Sequence, residues 1–541
     1  MPEIDVKGLS FTYENRSEPA LADVNLSIGS EEFVLVAGAS GSGKSTLIKC
    51  INGLIPHRYV GSYSGEVAIR GKPVASSQFL ELSLTVGTVL QETDKQLVGS
   101  KVEDDIAFGP CNLALTIPEV EERVTASMQS TGMEGLRGRS IFALSGGQKQ
   151  RLAIADTLAM RPDIILFDEP LANLDSNGVR LMQEVFRELH RQHKTIIVSE
   201  HRTEEVLRAG PTRVVVIERG RVMADSGDPA VLIQFANVLK VPASYALRNE
   251  SVRQDLLRAT SAPAIAAPQG SPELIRVEDL SYEYRGGVRA LDHVSFSIRD
   301  GERMAILGNN GAGKSTLSLN LVGILKPTSG RVLINGKDTR HMEVSEISKW
   351  VGLVFQDPFS MLFAKTVYDE LAFGPKNIGM REGEVRSVVP EVAKQCLIDH
   401  LLDKSPFASS FGEKRRIGVG SILTMKPRCV ILDEPTAGQD YRSYSHFMDF
   451  IGSLKGRVSA SVVITHDPDL AIEYTDRAIV LGDGRVAADG PTREVLADPS
   501  ILSACAIRET SLIELSREVT GGKSVLTLRQ LAKALTRRGE G

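Results

Sequence analysis

The sequence predicts an α/β chain in which one fold is written twice, and three observations carry that prediction. A glycine-rich loop, Gly38-Ala39-Ser40-Gly41-Ser42-Gly43-Lys44-Ser45-Thr46, follows the apolar run Phe33 to Ala37 and leads into Leu47-Ile48, the order of strand, loop and helix. The same order returns at Gly308-Asn309-Asn310-Gly311-Ala312-Gly313-Lys314-Ser315-Thr316, after Met304 to Leu307. Further on, Ile164 to Phe167 and Val430 to Leu432 are apolar runs that end in paired carboxylates, Asp168-Glu169 and Asp433-Glu434. Runs of this kind are strands buried on both faces.

Glycines let the backbone curl until several N–H groups face one anion, and the helix that follows adds its positive N-terminal end. Such a P-loop holds a triphosphate. Gly38, Ser40, Gly41 and Gly43 would form the first cradle, and Gly308, Asn310, Gly311 and Gly313 the second. Lys44 and Lys314 would reach the β- and γ-phosphates, while Ser45 and Ser315, with Thr46 and Thr316 beside them, would meet Mg²⁺ and phosphate. A flexible glycine turn is the plainer alternative, and the second occurrence argues against it.

At 541 residues the chain is too long for one ordinary core, so two or more domains are expected. Hydrophobic residues make up 42% and charged ones 24%, the balance of a soluble globular protein. A net charge of −5 argues against nonspecific nucleic-acid binding as the main task. No apolar run approaches the roughly 18 residues of a membrane span. The start Met1-Pro2-Glu3-Ile4-Asp5 lacks a signal-peptide pattern, so a cytosolic location is expected. Cys50, Cys111, Cys396, Cys429 and Cys505 lack Cys-x-x-Cys spacing and read as buried reduced thiols rather than disulfides or zinc ligands.

Comparison of the chain with itself sets its organisation. Lys44 and Lys314 lie 270 residues apart, whereas Gln91 and Gln356, Asp168 and Asp433, and His201 and His466 lie 265 apart. The first copy therefore carries five extra residues soon after its P-loop, within His57 to Ser64. Each copy opens on a strand-like stretch, Leu9 to Tyr13 and Leu280 to Tyr284, that ends on a tyrosine. Tyr13 and Tyr284 are candidates to stack on a nucleotide base, with a half-buried strand tyrosine as the plainer reading. Val120, Val124 and Met128, and likewise Val385, Val389 and Val392, fall at helical spacing and read as packing stripes. Trp350, the only tryptophan, reads as a core anchor. Thr260 to Pro272 has the composition of an exposed linker, and Ile507 to Leu535 reads as a small helical segment without catalytic residues. The expected divisions are a first domain at 1–235, a linker at 236–272, a second domain at 273–505 and a C-terminal helical appendage at 506–541.

Together the strand-end residues assemble an ATPase site with ATP and Mg²⁺ as its cofactors. Asp168 and Asp433 would hold the metal, with Gln91 and Gln356 touching metal or water. Glu169 and Glu434 would polarise the attacking water as general bases. His201 and His466, each 33 residues past its aspartate, would contact the γ-phosphate. A lone histidine is usually structural, but a matched pair at strand ends points to function.

Leu144-Ser145-Gly146-Gly147-Gln148 completes the set, and with it the chain resembles the tandem ATP-binding-cassette transporter ATPases over nearly all of both halves. The resemblance implies two P-loop NTPase domains of ABC type, each with a RecA-like core, an antiparallel β-subdomain and a helical signature subdomain. It also implies two cassettes paired head to tail, each ATP lying between one P-loop and the other cassette's signature. Ser145, Gly146, Gly147 and Gln148 would then present N–H groups and a hydroxyl to the γ-phosphate. The second signature departs from the pattern. It reads Ser409-Ser410-Phe411-Gly412-Glu413, so Ser410 and Gly412 keep their places while Phe411 replaces a glycine and Glu413 the glutamine. Phenylalanine obstructs the close approach that glycine permits, and a carboxylate facing phosphate is unfavourable. By the family arrangement the intact signature completes the site of Lys314 and the altered one that of Lys44. The former is expected to do most hydrolysis, and the latter to bind ATP and turn over slowly.

A narrower resemblance, to the ATPases of energy-coupling-factor importers, lies in Val102 to Leu113 and Val367 to Ile378, which share Ala-Phe-Gly-Pro, and in Ile507 to Leu512 with Val525 to Leu528. It implies a peripheral ATPase on the cytoplasmic face of the cell membrane. Its partners would be a transmembrane coupling protein and a substrate-binding membrane subunit for a vitamin or metal ion, docked helix-in-groove beside the glutamine loops. Those loops differ, Gln91-Glu92-Thr93-Asp94 against Gln356-Asp357-Pro358-Phe359, so equivalent docking surfaces are not expected. The rival reading is a soluble tandem ATPase acting on ribosomes or DNA. Such relatives carry a long charged linker, zinc cysteine clusters or sustained heptads, which this chain lacks. A nucleotide-gated regulator would require lost catalytic residues, yet Glu169, Glu434 and both histidines are present. No nucleic-acid partner is expected, and the cargo is not written in an ATPase that never touches it.

Overall fold

The computed structural model describes residues 2–14, 16–172, 174–258, 270–436, 441–453 and 458–539. Two compact units divide the chain: Met1–Val252 makes up most of the first, and Arg253–Ala437 with Ser443–Gly541 makes up the second.

In the first unit, Ile4–Tyr13 (β1) buries Ile4, Val6, Leu9 and Phe11; the alternation skips a place at Gly8, whose φ of 55 marks a bulge in the ladder to β2 (Leu21–Ile28). Together with β4 (Gly61–Ile69) and β5 (Lys72–Pro73) these strands form an antiparallel sheet of order β2-β1-β4-β5. A second sheet has the order β10-β9-β3-β8-β7-β6. Its parallel strands are β3 (Phe33–Ala37), β6 (Val86–Val89), β7 (Ile164–Asp168), β8 (Thr195–Glu200) and β9 (Arg213–Glu218), with β10 (Arg221–Ser226) antiparallel at the edge. Every residue of β3, β7 and β8 is buried. Because β8 lies between β3 and β7, the chain leaves their C-terminal ends at neighbouring points, which brings three distant stretches of sequence to one edge.

Helix α1 (Lys44–Ile51) follows the P-loop. Helices α2 (Val102–Cys111), α3 (Ile117–Thr131) and α4 (Gly146–Ala159) close around Val102, Ile106, Val124, Met128, Leu152 and Ala155, a cluster separate from that beneath the sheets. The α3 stripe is therefore packing: Val124 and Met128 are buried, and Val120 rests against them. Helix α5 (Ser176–Arg191) covers the parallel sheet with Val179, Met182, Phe186 and Leu189.

The second unit repeats this plan. One sheet runs β12-β11-β14-β15, from β11 (Glu273–Glu283), β12 (Arg289–Arg299), β14 (Ser329–Ile334) and β15 (Lys337–Asp338). The other runs β16-β17-β18-β13-β19-β20, from β13 (Arg303–Leu307), β16 (Val351–Val354), β17 (Cys429–Asp433), β18 (Ala460–Thr465), β19 (Arg477–Gly482) and β20 (Arg485–Pro491). Helices α6 (Lys314–Leu321), α7 (Val367–Asn377), α8 (Glu382–Gln395) and α9 (Phe411–Leu423) match α1 to α4, and Val385, Val389 and Val392 are wholly buried. Trp350 packs half-buried against the core. Each unit thus has a mainly parallel core sheet behind its P-loop, a separate antiparallel β-subdomain and a helical subdomain, the three parts expected from the sequence.

Four of the five cysteines are buried and free, but Cys111 is exposed, because it ends α2 at its solvent side. Within the stretch expected as a linker, Ala243–Ala246 and Glu250–Arg258 are helical, while residues 259–269, most of its Ala/Pro part, lie outside the described residues. The C-terminal segment holds helices Ser511–Thr520 and Leu528–Gly539. No described helix is long and apolar enough to cross a membrane.

Candidate active sites

Both glycine-rich loops sit where their parallel strand ends and their helix begins. Gly38 has no room for a side chain, since a Cβ there would collide with Ser42 Oγ and the Ile217 carbonyl. Gly43 and Gly313, at φ of 111 and 96, form the turn into α1 and α6, a backbone region open chiefly to glycine. Lys44 Nζ donates to the carbonyls of Gly38 (2.8 Å) and Ala39 (2.9 Å). Lys314 Nζ does the same with Gly308 (2.7 Å) and Asn309 (3.0 Å). Ser40, Gly41, Asn310 and Gly311 lie in the loop tips between these anchors.

In the first unit the strand ends bring Lys44, Ser45, Gln91, Asp168, Glu169 and His201 together. Ser45 Oγ (2.9 Å) and Ser199 Oγ (2.7 Å) both donate to Asp168 Oδ1. Burial raises the Asp168 pKa despite those two bonds. Gln91 Nε2 donates to Glu169 Oε2 at 2.8 Å, Lys44 Nζ stands 3.5 Å from Oε1, and His201 Nδ1 stands 3.8 Å from it. Burial opposes the charged form of Glu169, but His201 and Lys44 outweigh it and bring its pKa down to about 2. His201 Nδ1 is closer to Glu200, 3.1 Å from Oε1. Glu200 is fully buried and accepts the N–H groups of His201 (2.8 Å) and Arg202 (3.1 Å), so it fixes the turn at the end of β8.

The second unit arranges the matching residues differently. His466 Nδ1 is 3.0 Å from Glu434 Oε2, and Lys314 Nζ is 4.0 Å from Oε1. Burial raises the Glu434 pKa, but His466 and Lys314 outweigh it and hold it below its usual value. Asp433 is pushed up to about 6 by burial and then by the charge of Glu434. The cause lies in the sequence: Ile464 stands where the first unit has Ser199, so β18 offers Asp433 no hydroxyl. Ser315 is the second residue of α6 and, unlike Ser45, makes no side-chain hydrogen bond to its aspartate among the described residues. The Gln356 side chain is exposed and makes no hydrogen bond among the described residues; only its backbone carbonyl accepts one, from Arg415 at 3.4 Å. Glu169 and Glu434 both have positive φ, 47 and 44, a strained region for a residue with a side chain.

Tyr13 and Tyr284 reach the P-loop helices directly. Their hydroxyls lie 3.3 Å from Thr46 Oγ1 and 3.0 Å from Thr316 Oγ1, which sets each ring beside the first helical turn.

The two signatures form helix N-caps. Ser145 Oγ accepts the Gln148 N–H at 3.3 Å, and Gln148 Oε1 accepts the Ser145 N–H at 2.9 Å. Ser410 and Glu413 build the same box, with Glu413 Oε2 accepting from both the N–H (2.7 Å) and the hydroxyl (2.8 Å) of Ser410. The substituted carboxylate therefore turns back onto its own helix end. Phe411 is exposed, 5.2 Å from the Arg415 guanidinium, whereas Gly146 and Gly412 have open space around them. Among the described residues no hydrogen bond joins either signature box to the strand-end cluster of its own unit. Ser199 and Glu200 escaped the motif reading, although the exchange of Ser-Glu for Ile464-Thr465 between copies marks them as places where the two sites differ.

The ABC transporter family model matches residues 21–172 and 291–437. A protein of Caldanaerobacter subterraneus subsp. tengcongensis, named as an ABC transporter ATP-binding protein, is 35% identical over 568 residues, with 99% of each chain covered. One of the same description from Vibrio parahaemolyticus is 37% identical over 543 residues, covering 95% of this chain and 94% of its own. The solved structure of cbiO1 from Clostridium perfringens, described as part of the ABC transporter complex cbiONQ, is 38% identical with a TM-score of 0.39, covering 44% of this chain and 95% of its own. With a P-loop, paired strand-end carboxylates and a capped signature helix in each unit, the chain belongs to the ABC transporter family as a tandem ATP-binding protein that hydrolyses ATP.

Proposed function

We propose that this ATPase powers an energy-coupling-factor type importer of a vitamin or metal ion, held at the cytoplasmic face of the cell membrane by a transmembrane coupling protein that works with a substrate-binding membrane subunit. One observation carries the proposal. The Ala-Phe-Gly-Pro segments that resemble that branch lie on α2 and α7, and their phenylalanines, Phe108 and Phe373, are 56% and 50% exposed at matching places beyond the glutamine loops. In the first unit Phe108 borders a groove of 330 Å³ lined also by Phe79, Leu90, Val98 and Met160. Apolar side chains left to water beside a glutamine loop suit a helix of a membrane partner.

The residues fit Mg²⁺. Ser45 and Asp168, already joined, and Ser315 and Asp433 are hard oxygen donors, with Gln91 and Gln356 as further oxygens. When bound, the ion would neutralise charge on the phosphates. Glu169 and Glu434 would accept the proton of the attacking water at a carboxylate oxygen. Lys44 and Lys314, once drawn to phosphate, would cease to depress those carboxylates and so leave them more basic. ATP binding would close the cassettes and hydrolysis reopen them.

The two sites would not be equal. Glu434 and His466 are joined directly, whereas Glu169 is engaged by Gln91 and its histidine stands nearer Glu200 than Glu169. That supports assigning most turnover to the site of Lys314, as does the intact signature that the family arrangement assigns to it.

Mass spectrometry of proteins that co-purify with the tagged chain from gently solubilised native membranes tests the importer. A small polytopic coupling protein and a substrate-binding membrane subunit are expected. Ribosomal or DNA-bound proteins with none from the membrane would overturn the proposal and leave the ATPase standing.

A further inference from the structure

We propose that the five-residue insertion of the first unit is a brace for Tyr13, with Tyr59 as its main contact, so that the first site grips the nucleotide base more firmly than the second. The inference rests on the reading of Tyr13 and Tyr284 as base contacts. It starts from the ladders. Strand β4 has nine residues and pairs with β1 to its end, Phe11 opposite Tyr63, Thr12 opposite Ser62 and Tyr13 opposite Gly61. The Glu14 N–H then donates to Val60 O at 3.4 Å. Strand β14 has six residues, and its register with β11 stops at Ser281 opposite Ser329, three residues short of Tyr284. Tyr284 is tied instead to the opposite hairpin, its N–H to Val288 O at 2.9 Å.

The side chains follow the backbone. Tyr13 meets Phe11 edge to face at 4.8 Å and Tyr59 at 6.2 Å, both with rings near perpendicular at 83°. Tyr59 is itself held by Lys49 of α1, whose ammonium lies 4.6 Å from the ring centre. Tyr284 has one ring neighbour among the described residues, Tyr282 at 5.0 Å. Gly61 allows the arrangement, since a Cβ there would strike the Thr12 carbonyl and the Phe11 ring. An aromatic that is fixed before the base arrives loses less freedom on stacking, and that difference appears as affinity. Tyr59 is a positioning residue: it acts on the base through Tyr13. A braced platform at the slowly hydrolysing site would keep ATP there through repeated turnovers at the other.

The test uses the full chain with Lys314→Ala, so that the first site reports, and displacement of a fluorescent ATP analogue by ATP or by inorganic tripolyphosphate, which has no base. Tyr59→Ala is expected to weaken ATP about three- to tenfold, to leave tripolyphosphate unchanged, and to be rescued by Tyr59→Phe. In a Lys44→Ala chain, where the second site reports, Tyr59→Ala should change nothing. Equal weakening of ATP and tripolyphosphate would overturn the brace, because that is general damage to the unit. So would unchanged ATP binding in a chain where Tyr13→Ala does weaken it. If Tyr13→Ala leaves ATP binding intact, the base-contact reading fails first and the inference falls with it.

Discussion

Asp433, the proposed Mg²⁺ ligand of the second unit, is a buried side chain whose charge works against the fold of the protein alone. Its pKa is raised to about 6 from 3.8, so its contribution to folding is fully present below about pH 4 and is lost as pH rises through 6. At neutral pH without a cation, the ionised carboxylate works against the fold by on the order of 3 kcal/mol. Asp433→Asn should therefore raise the nucleotide-free melting temperature by a few degrees at pH 7.5, gain little at pH 4, and weaken MgATP binding. Calorimetry at the two pH values checks this, and a gain independent of pH would contradict it. Glu413 is the opposite case. Its pKa is lowered by the backbone and hydroxyl of Ser410, so the stability it adds is present above the ordinary glutamate pKa and is lost as pH falls. Glu413→Ala should cost about 1 kcal/mol in thermal or denaturant unfolding at pH 7, while Glu413→Gln, which restores the box seen at Ser145 and Gln148, should cost far less.

At the scale of elements, what was legible in the sequence is what is local. Strand, glycine loop and lysine are consecutive, so Lys44 and Lys314 could be placed from the chain alone, and so could Asp168-Glu169 at the end of an apolar run. Contacts between elements were not legible. Gln91 reaches Glu169 across 78 residues, and nothing in the motif says that Gln356 leaves Glu434 alone. Glu200 sits in a run that reads only as a buried strand, and its effect on His201 depends on the turn after β8. The insertion was visible as a change of offset from 270 to 265, yet its consequence, a longer β4 carrying the ladder to Tyr13, depends on strand pairing that composition does not encode. Helix α9 offers a direct check on the altered signature. Phe411 is 42% exposed, so Phe411→Gly costs the helix at most about 1 kcal/mol. In a Glu434→Gln chain, where the site of Lys44 is left to turn over, this change should raise the residual ATPase rate severalfold; no rise would remove Phe411 from the explanation of slow turnover.

For the whole molecule, duplication supplies two complete P-loop domains, and divergence falls where it alters chemistry while leaving the fold intact. Sheet order is the same in both units. The exchanges that matter are at single places: Ser199 for Ile464, Glu200 for Thr465, Gly146 for Phe411 and Gln148 for Glu413. Each falls on or beside a strand-end carboxylate, a histidine or a signature box, and the proposed motor, in which one site works and the other holds, rests on them. Steady-state MgATP hydrolysis by the full chain, with Glu434→Gln compared with Glu169→Gln, tests that claim most directly. The account predicts that Glu434→Gln removes most turnover and Glu169→Gln distinctly less; equal losses from the two substitutions would contradict it.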